Sequence, residues 1–124
     1  MKISGAESVV MEALWKRQPP NSAMSAEDIG AEVAEGQGWS EATVKTLVNR
    51  LLKKKAIAAT RDGRRFLYRP LVARAAYVQA ESQGLLDRLF DGRLAPLVSH
   101  FSQTQTLSAE DIAELKRLIA EMDR

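Results

Sequence analysis

Apolar residues recur every three to four positions in several stretches of the chain, and serines that suit helix starts stand before them. Ser4, Ser25 and Ser108 each precede a carboxylate by three residues, which is the capping-box spacing. The first helix is expected to stop before QPPN at 18–21 and the second at EGQG at 35–38, because proline and glycine break helices. The pattern therefore predicts capped helices separated by short polar breaks.

A third helix is predicted to begin at Ser40, within the segment WSEATVKTLVNRLLKKK at 39–55. At about 100° per residue, one side of this helix is aliphatic. That side consists of Val44, Leu47, Val48, Leu51 and Leu52. The opposite side is mostly polar and consists of Ala42, Thr46, Asn49 and Lys53, flanked by Thr43, Lys45 and Arg50. Because the aliphatic side must face a core, the polar side must point away from the body of the protein.

Two short strand-like runs follow, at 56–61 and 64–69. The pair Asp62-Gly63 between them favours a two-residue hairpin turn of type I′. One face of the hairpin can be shared by Ile57, Ala59, Phe66 and Tyr68. Its tip carries Arg61, Arg64 and Arg65 against a single aspartate, so it is expected to lie against something anionic.

The remainder of the chain is expected to be helical. Residues 71–90 are predicted to form one helix, and a shorter one with Pro96 in its first turn runs to about Phe101. The segment SQTQT at 102–106 is a predicted polar linker, and the last helix starts at Ser108.

Positive charge is concentrated in one part of the chain. Residues 45–69 hold nine cations against one aspartate, whereas residues 1–44 carry a net charge of −4 and residues 70–124 a net charge of −2. The whole chain has a net charge of only +2. A local cationic segment of this kind is what a phosphate-binding surface needs.

The composition, 45% hydrophobic and 27% charged, is typical of a folded protein. No apolar run approaches the roughly 18 residues of a membrane span, and the N-terminus lacks a signal-peptide core. A cytoplasmic protein without membrane insertion is therefore expected. The chain has no cysteine and His100 is its one histidine, so we expect no metal site, no cofactor and no enzymatic activity.

Three helices, an extended piece near 22–24 and a hairpin follow the order of a winged helix-turn-helix. The predicted fold class is mainly α with a small β-hairpin wing (α+β): a winged helix DNA-binding domain over 1–71 and a helical dimerisation arm over 72–124. The third helix can then enter the major groove of double-stranded DNA while the wing follows the phosphates. The predicted DNA-binding residues are Ser40, Thr43, Lys45, Thr46, Asn49, Arg50, Lys53, Arg61, Arg64 and Arg65.

The arm is short for a core of its own, since units below about 70 residues rarely bury enough apolar surface. Pairing two arms in a homodimer would bury their apolar side chains across a twofold axis. The expected interface residues are Leu85, Leu89, Phe90, Leu94, Leu97, Val98, Phe101, Ile112, Leu115, Leu118 and Ile119. The alternative is that this apolar surface folds back on the winged helix of its own chain.

The segments GWSEATVKTLVNRLLKKKAI, GRRFLYRPLV and ESQGLLDRLFDGRLAPLVSHF resemble the penicillinase-repressor family, the BlaI/MecI/CopY group. The resemblance implies a dimeric transcriptional repressor on a palindromic operator. It also implies a membrane-bound sensor metalloprotease as a frequent partner, whose response to an antibiotic or cell-wall stress leads to repressor cleavage. By the same resemblance, recognition-helix positions are occupied by Thr43, Lys45, Thr46, Asn49 and Arg50.

The chain departs from the family pattern at Lys55, where glycine usually follows the recognition helix. Because a left-handed lysine costs about 1 kcal/mol, a differently shaped helix end is expected. The absence of cysteine excludes the copper-binding cluster of the copper-responsive branch. Relatives are cut between asparagine and phenylalanine at the position of His100 and Phe101; the alternative to a cut here is an interface role for Phe101 beside a surface histidine.

Two other classes of function stay open. A ligand-sensing winged-helix regulator would hold a small molecule between arm and winged helix, and a specific ligand found by thermal-shift screening would reveal it. A winged-helix protein-interaction module would have little affinity for DNA at moderate salt.

Overall fold

The computed structural model describes residues 2–17, 23–104 and 107–123; the segment QPPN, Ser22 and the last two positions of SQTQT lie outside this range. The described elements are α1 (Gly5–Lys16), α2 (Ala26–Gln37), α3 (Glu41–Lys53), β1 (Ile57–Asp62), β2 (Arg65–Pro70), α4 (Arg74–Phe90), α5 (Leu94–Thr104) and α6 (Ala109–Met122). The two strands form one antiparallel hairpin. The predicted mainly α fold with a β-hairpin is thereby confirmed. Among these helices, none has the length and apolar character that crossing a bilayer requires.

The described residues form two compact units that divide between Tyr77 and Val78. The first unit holds α1 to α3, the hairpin and the first turn of α4, and the second holds the rest of α4 with α5 and α6. The sequence places the domain boundary earlier, after residue 71. The assignment of DNA binding and dimerisation to the two parts stays a prediction.

The predicted serine caps are present. Ser4 and Ser25 form complete capping boxes: each serine hydroxyl accepts from a backbone N–H three residues on, at 3.1 Å, and the carboxylate there accepts from the serine N–H. Ser40 and Ser108 cap α3 and α6 through their hydroxyls, at 3.2 and 3.0 Å. These caps satisfy backbone donors that a helix start leaves without partners, and they fix where each helix begins.

The core of the first unit is built mainly from α1, α2 and α3. Four of the five aliphatic residues predicted for α3 are buried, and the fifth, Leu52, is half-buried. Met24 pairs with Tyr68 of β2 through two backbone hydrogen bonds of 3.0 and 2.7 Å. This bridge connects the hairpin to the segment before α2 and so holds the base of the wing next to the helical core.

The hairpin turn lies one residue later than predicted. Asp62 opposes Arg65, so the two turn residues are Gly63 and Arg64. Gly63 has a φ of 65° and Arg64 has no positive φ, which is the pattern of a type II′ turn rather than the predicted type I′. A type I′ turn at Asp62-Gly63 would place an aspartate in the left-handed region, whereas the observed turn requires that conformation only of glycine.

The predicted hairpin face is confirmed by the register. Ala59 opposes Tyr68, and Ile57 opposes Pro70, so the four predicted residues share one side. Arg61 opposes Phe66 and therefore lies on this same side.

Helix α3 ends in a left-handed residue, although a lysine at this position led us to predict a different helix end. Lys55 is left-handed, with a φ of 62°. Its N–H donates to the carbonyl of Leu52, and the N–H of Ala56 donates to the carbonyl of Leu51, both at 3.0 Å. These bonds form a Schellman motif, in which buried Ala56 also packs near buried Leu51. The prediction of a different helix end is wrong, because two hydrogen bonds and the burial of Ala56 outweigh the strain at lysine.

Lys55→Gly is expected to be more stable than Lys55→Ala by about 1 kcal/mol. Both variants lose the same charge, but only glycine adopts the left-handed conformation without a Cβ clash. Urea unfolding of the two variants measures the difference directly. Equal stabilities would contradict a strained left-handed residue at this position.

The helix boundaries of the C-terminal region differ from the predicted ones. α4 begins at Arg74 rather than at residue 71, because the N–H of Leu71 donates to the Ala56 carbonyl at 2.8 Å and the Val72 carbonyl accepts from Trp15 Nε1 at 2.8 Å. α5 continues to Thr104 instead of ending near Phe101. In its last turn, the hydroxyls of Ser102 and Thr104 donate to carbonyls three and four residues back, at 2.8 and 3.1 Å.

Candidate nucleic-acid interface

The polar side of α3 is exposed in the first unit. Thr46, Asn49 and Lys53 are exposed along it, with Lys45 and Arg50 exposed on its flanks and Thr43 half-buried. The aliphatic residues on the other side hold the helix against the core, so the orientation of the polar side is fixed by burial. The fold thus presents a helix of 13 residues with a polar surface that matches the width of a major groove.

The three hydroxyls near the start of α3 differ in what they already bind. Ser40 Oγ accepts from the Thr43 N–H at 3.2 Å and lies 3.1 Å from Thr43 Oγ1, so these two hydroxyls serve the helix cap. Thr46 Oγ1 donates to the Ala42 carbonyl at 3.0 Å. Its oxygen keeps acceptor capacity, which suits a base amine. Among the three, Thr46 is therefore the best placed to contact a base.

Glu41 and Lys45 form an ion pair on the first turn of α3. Lys45 Nζ lies 3.2 Å from Glu41 Oε1, and both side chains are exposed. Glu41 is the first residue of the helix, where the positive end of the helix dipole favours a carboxylate. The pair places a donor and an acceptor side by side at the end of α3 that would enter a groove first.

The wing arginines have different surroundings. Arg61 Nε donates to the Gly63 carbonyl at 3.2 Å, and its guanidinium lies 5.7 Å from the centre of the Phe66 ring. Arg65 pairs with Asp62 across the turn at 3.7 Å. Arg64 occupies the second turn position and is exposed. Arg61 thus covers an exposed aromatic ring, whereas Arg64 lies at the outermost point of the hairpin.

Helix and wing cations line one cleft of about 270 Å³. The cleft lies between the start of α2, the first turn of α3 and the wing, and it is lined by Ser25, Ala26, Glu27, Glu41, Lys45, Arg64, Arg65, Phe66 and Tyr68. Cations that are about 20 positions apart in the sequence are therefore neighbours. This convergence is what a surface that binds phosphates and base edges together requires.

A buried ion pair anchors the other end of α3. The carboxylate of Glu7, which is only 1% exposed, pairs with Lys54 Nζ, and Lys54 also donates to the Lys2 carbonyl at 2.7 Å. Burial raises the pKa of the Glu7 carboxyl, but hydrogen bonds from Lys54 and Ser4 outweigh it, so the pKa lies below its ordinary value of 4.5. This contact ties the C-terminal end of α3 to the start of α1.

The second unit presents apolar side chains without burying them. None of its described residues in α4, α5 or α6 is buried. The most exposed large apolar side chains include Leu89, Leu94, Ile119 and Met122, and Phe101, Ile112 and Leu118 are each 40% exposed. Of the predicted interface residues, Leu85, Phe90, Leu97, Val98 and Leu115 are half-buried.

Six of the nine residues that line the cleft are outside the predicted DNA-binding set: Ser25, Ala26, Glu27, Glu41, Phe66 and Tyr68. Glu41 stands four positions before Lys45, and this spacing is a readable signal for an ion pair on one helix face. The positions of Glu27 and Phe66 in the cleft depend on how α2 and the wing pack, so no local pattern indicates them.

Comparison with known proteins gives consistent results over nearly the whole chain. The family model described as penicillinase repressor matches residues 3–121. The penicillinase repressor of Bacillus licheniformis is 32% identical over 120 residues, which cover 97% of this chain and 91% of that protein. The methicillin resistance regulatory protein MecI of Staphylococcus aureus is 30% identical over 118 residues, covering 95% of this chain and 93% of that protein.

Solved structures match the winged-helix part. The DNA binding domain of the repressor BlaI is similar with a TM-score of 0.54 and 33% identity, over 61% of this chain and 88% of that one. The monomeric form of Bacillus licheniformis BlaI in complex with the blaP half-operator is similar with a TM-score of 0.51 and 32% identity, over 62% of this chain and 89% of that one. These matches identify the fold of the first unit as a winged helix.

Proposed function

Because the chain belongs to the penicillinase repressor family, we propose that this DNA-binding transcriptional repressor works as a homodimer on a palindromic operator. Each protomer would read one half-site with the polar side of α3 and hold the flanking phosphates with the wing. The observation that carries this docking is the single cleft shared by Lys45, Arg64 and Arg65. Operator binding requires access to chromosomal DNA, so the proposal includes a cytoplasmic location.

The apolar surface of the second unit supports the homodimer. A unit of 47 residues without a buried side chain in its described part gains little stability from its own packing. A second copy would cover Leu89, Ile119 and their neighbours with identical side chains around a twofold axis. Two linked winged helices would then demand two half-sites at a fixed spacing, which a palindrome supplies.

Cleavage in α5 is the proposed way to lift repression, with a membrane-bound sensor metalloprotease upstream. His100 and Phe101 are exposed, and their rings lie 5.3 Å apart. Their peptide bond lies inside α5, so the helix must unwind locally before a protease can bind an extended chain. A cut there would separate α6 from α4 and so remove one part of the dimer surface.

Thr46→Ala and Arg64→Ala are expected to affect DNA binding differently. Loss of the Thr46 hydroxyl should lower operator affinity by about tenfold and leave binding to unrelated DNA unchanged, because a base contact carries sequence information. Loss of Arg64 should weaken both and reduce the salt dependence of log K by about one phosphate contact. Titrations at two or more salt concentrations separate these effects.

Lys116→Ala is the matched control, because it removes one positive charge from α6 rather than from the wing. It should leave the affinity for both DNAs close to that of the parent chain. If neither Thr46→Ala nor Arg64→Ala changes DNA affinity, the proposed docking is wrong.

A further inference from the structure

The ion pair of Glu41 and Lys45 presents a hydrogen-bond acceptor and a hydrogen-bond donor side by side at the surface. Lys45 Nζ can only donate and the Glu41 carboxylate can only accept, and the two atoms lie 3.2 Å apart. Their side chains are 60% and 72% exposed, so water or a ligand reaches both. Both residues also line the cleft that Arg64 and Arg65 share, on the side of α3 that faces the wing.

A G·C base pair presents the complementary pattern in the major groove. Guanine offers acceptors at O6 and N7, and cytosine offers its N4 amine as a donor. Guanine O6 and cytosine N4 are neighbours because they bond to each other in the base pair. A lysine over guanine and a glutamate over cytosine would therefore each meet the group it needs. An A·T pair in the same orientation would set an amine against lysine and a carbonyl against glutamate.

We propose that Glu41 is a specificity-determining residue that accepts from cytosine N4 while Lys45 donates to the guanine of the same base pair. This inference rests on the proposed function, in which the first turn of α3 enters the major groove. Glu41 is held at the start of the helix, and its ion pair positions Lys45 before DNA arrives.

A carboxylate on a DNA-binding surface is repelled by the phosphates, so a contact with a base would give Glu41 a role there. Removing an anion from a DNA-binding surface should strengthen binding to every sequence, because the phosphate contribution does not depend on sequence. The repulsion between the Glu41 carboxylate and the DNA phosphates is offset only where a base amine donates a hydrogen bond to that carboxylate. Its effect should therefore depend on one base pair in each half-site.

Selection of bound sites from a randomised double-stranded library tests this inference, using the full chain and the variants Glu41→Ala, Glu41→Gln and Glu35→Ala. Glu35→Ala is the matched control, because it removes the same charge from an exposed position of α2 that does not line the cleft. The parent chain should select C·G at one position of each half-site. Glu41→Ala should lose about tenfold preference there and keep the other positions. Glu41→Gln keeps an amide oxygen that can accept from cytosine N4 and should lose less of this preference, whereas Glu35→Ala should keep the preference at every position.

Two results would overturn the inference, and they are distinguishable. If Glu41→Ala selects the same site with unchanged preference at every position and only binds more tightly, Glu41 merely repels phosphates. If the parent chain selects no sequence at all, the proposed operator binding fails and the inference fails with it. Circular dichroism of each variant confirms that its helices are intact.

Discussion

Ile119→Asp is expected to convert the dimer into a monomer and to lower the affinity for a full operator by about 10²- to 10⁴-fold. Ile119 is 64% exposed within its own chain, so an aspartate there does not need to be buried in the protomer. In the proposed dimer the same position is covered by a second copy, and a carboxylate without a partner is costly to bury. The loss arises because two half-sites are no longer bound by one linked molecule.

Sedimentation at micromolar concentration and titration of an operator at fixed salt measure the two parts of this prediction. Ala113→Asp is the matched control: it adds the same charge to α6 on the side opposite the apolar residues. It should remain dimeric and bind the operator normally. Affinity for an isolated half-site should be the same for both variants. An Ile119→Asp protein that stays dimeric would contradict the assigned interface.

Lys54→Met is expected to lower the free energy of unfolding by about 2 kcal/mol near neutral pH. Methionine keeps most of the aliphatic length of lysine but leaves the buried Glu7 carboxylate without its cation. Glu7 Oε2 already has no hydrogen-bond partner among the described residues, so the carboxylate depends on Lys54 and Ser4. Because Lys54 is itself 36% exposed, the cost is smaller than that of breaking a fully buried pair.

The same substitution has an expected pH dependence. In the parent chain the pKa of Glu7 lies below 4.5, so its stabilising contribution is complete above that pH and is lost as the pH falls through the native pKa. Without Lys54, only Ser4 opposes the effect of burial on the Glu7 carboxylate, so the pKa of Glu7 in the native state rises. The difference in stability between the two proteins should therefore shrink on acidification.

Urea unfolding at about pH 7 and about pH 4 tests this dependence. Lys53→Met removes the same charge from the adjacent, exposed position and should change stability by much less. A difference between Lys54→Met and the parent chain that stays constant or grows on acidification would show that Glu7 is not the group involved.

Local sequence patterns determined the start of each capped helix, the buried side of α3 and the cationic character of the segment at 45–69. Each depends on residues within one or two helical turns: a serine that accepts from an N–H three positions on, or aliphatic residues that repeat with the helical period. The polar side of α3, with Thr46, Asn49 and Lys53, follows from the same periodicity. Most of the candidate DNA-binding surface could therefore be predicted before the fold was known.

Tertiary packing decided what local preferences could not. Lys55 is left-handed because Ala56 and Ile57 must enter the core directly after α3, and their burial outweighs the local strain. The wing turn lies at Gly63 and Arg64 because the strand register and the Met24–Tyr68 bridge belong to the whole unit. Glu7 pairs with Lys54 across 47 positions of the sequence. Glu41 lines the same cleft as Arg64 and Arg65 because α3 and the wing pack side by side. Such contacts join residues that are far apart in the sequence, so they cannot be predicted from any single segment.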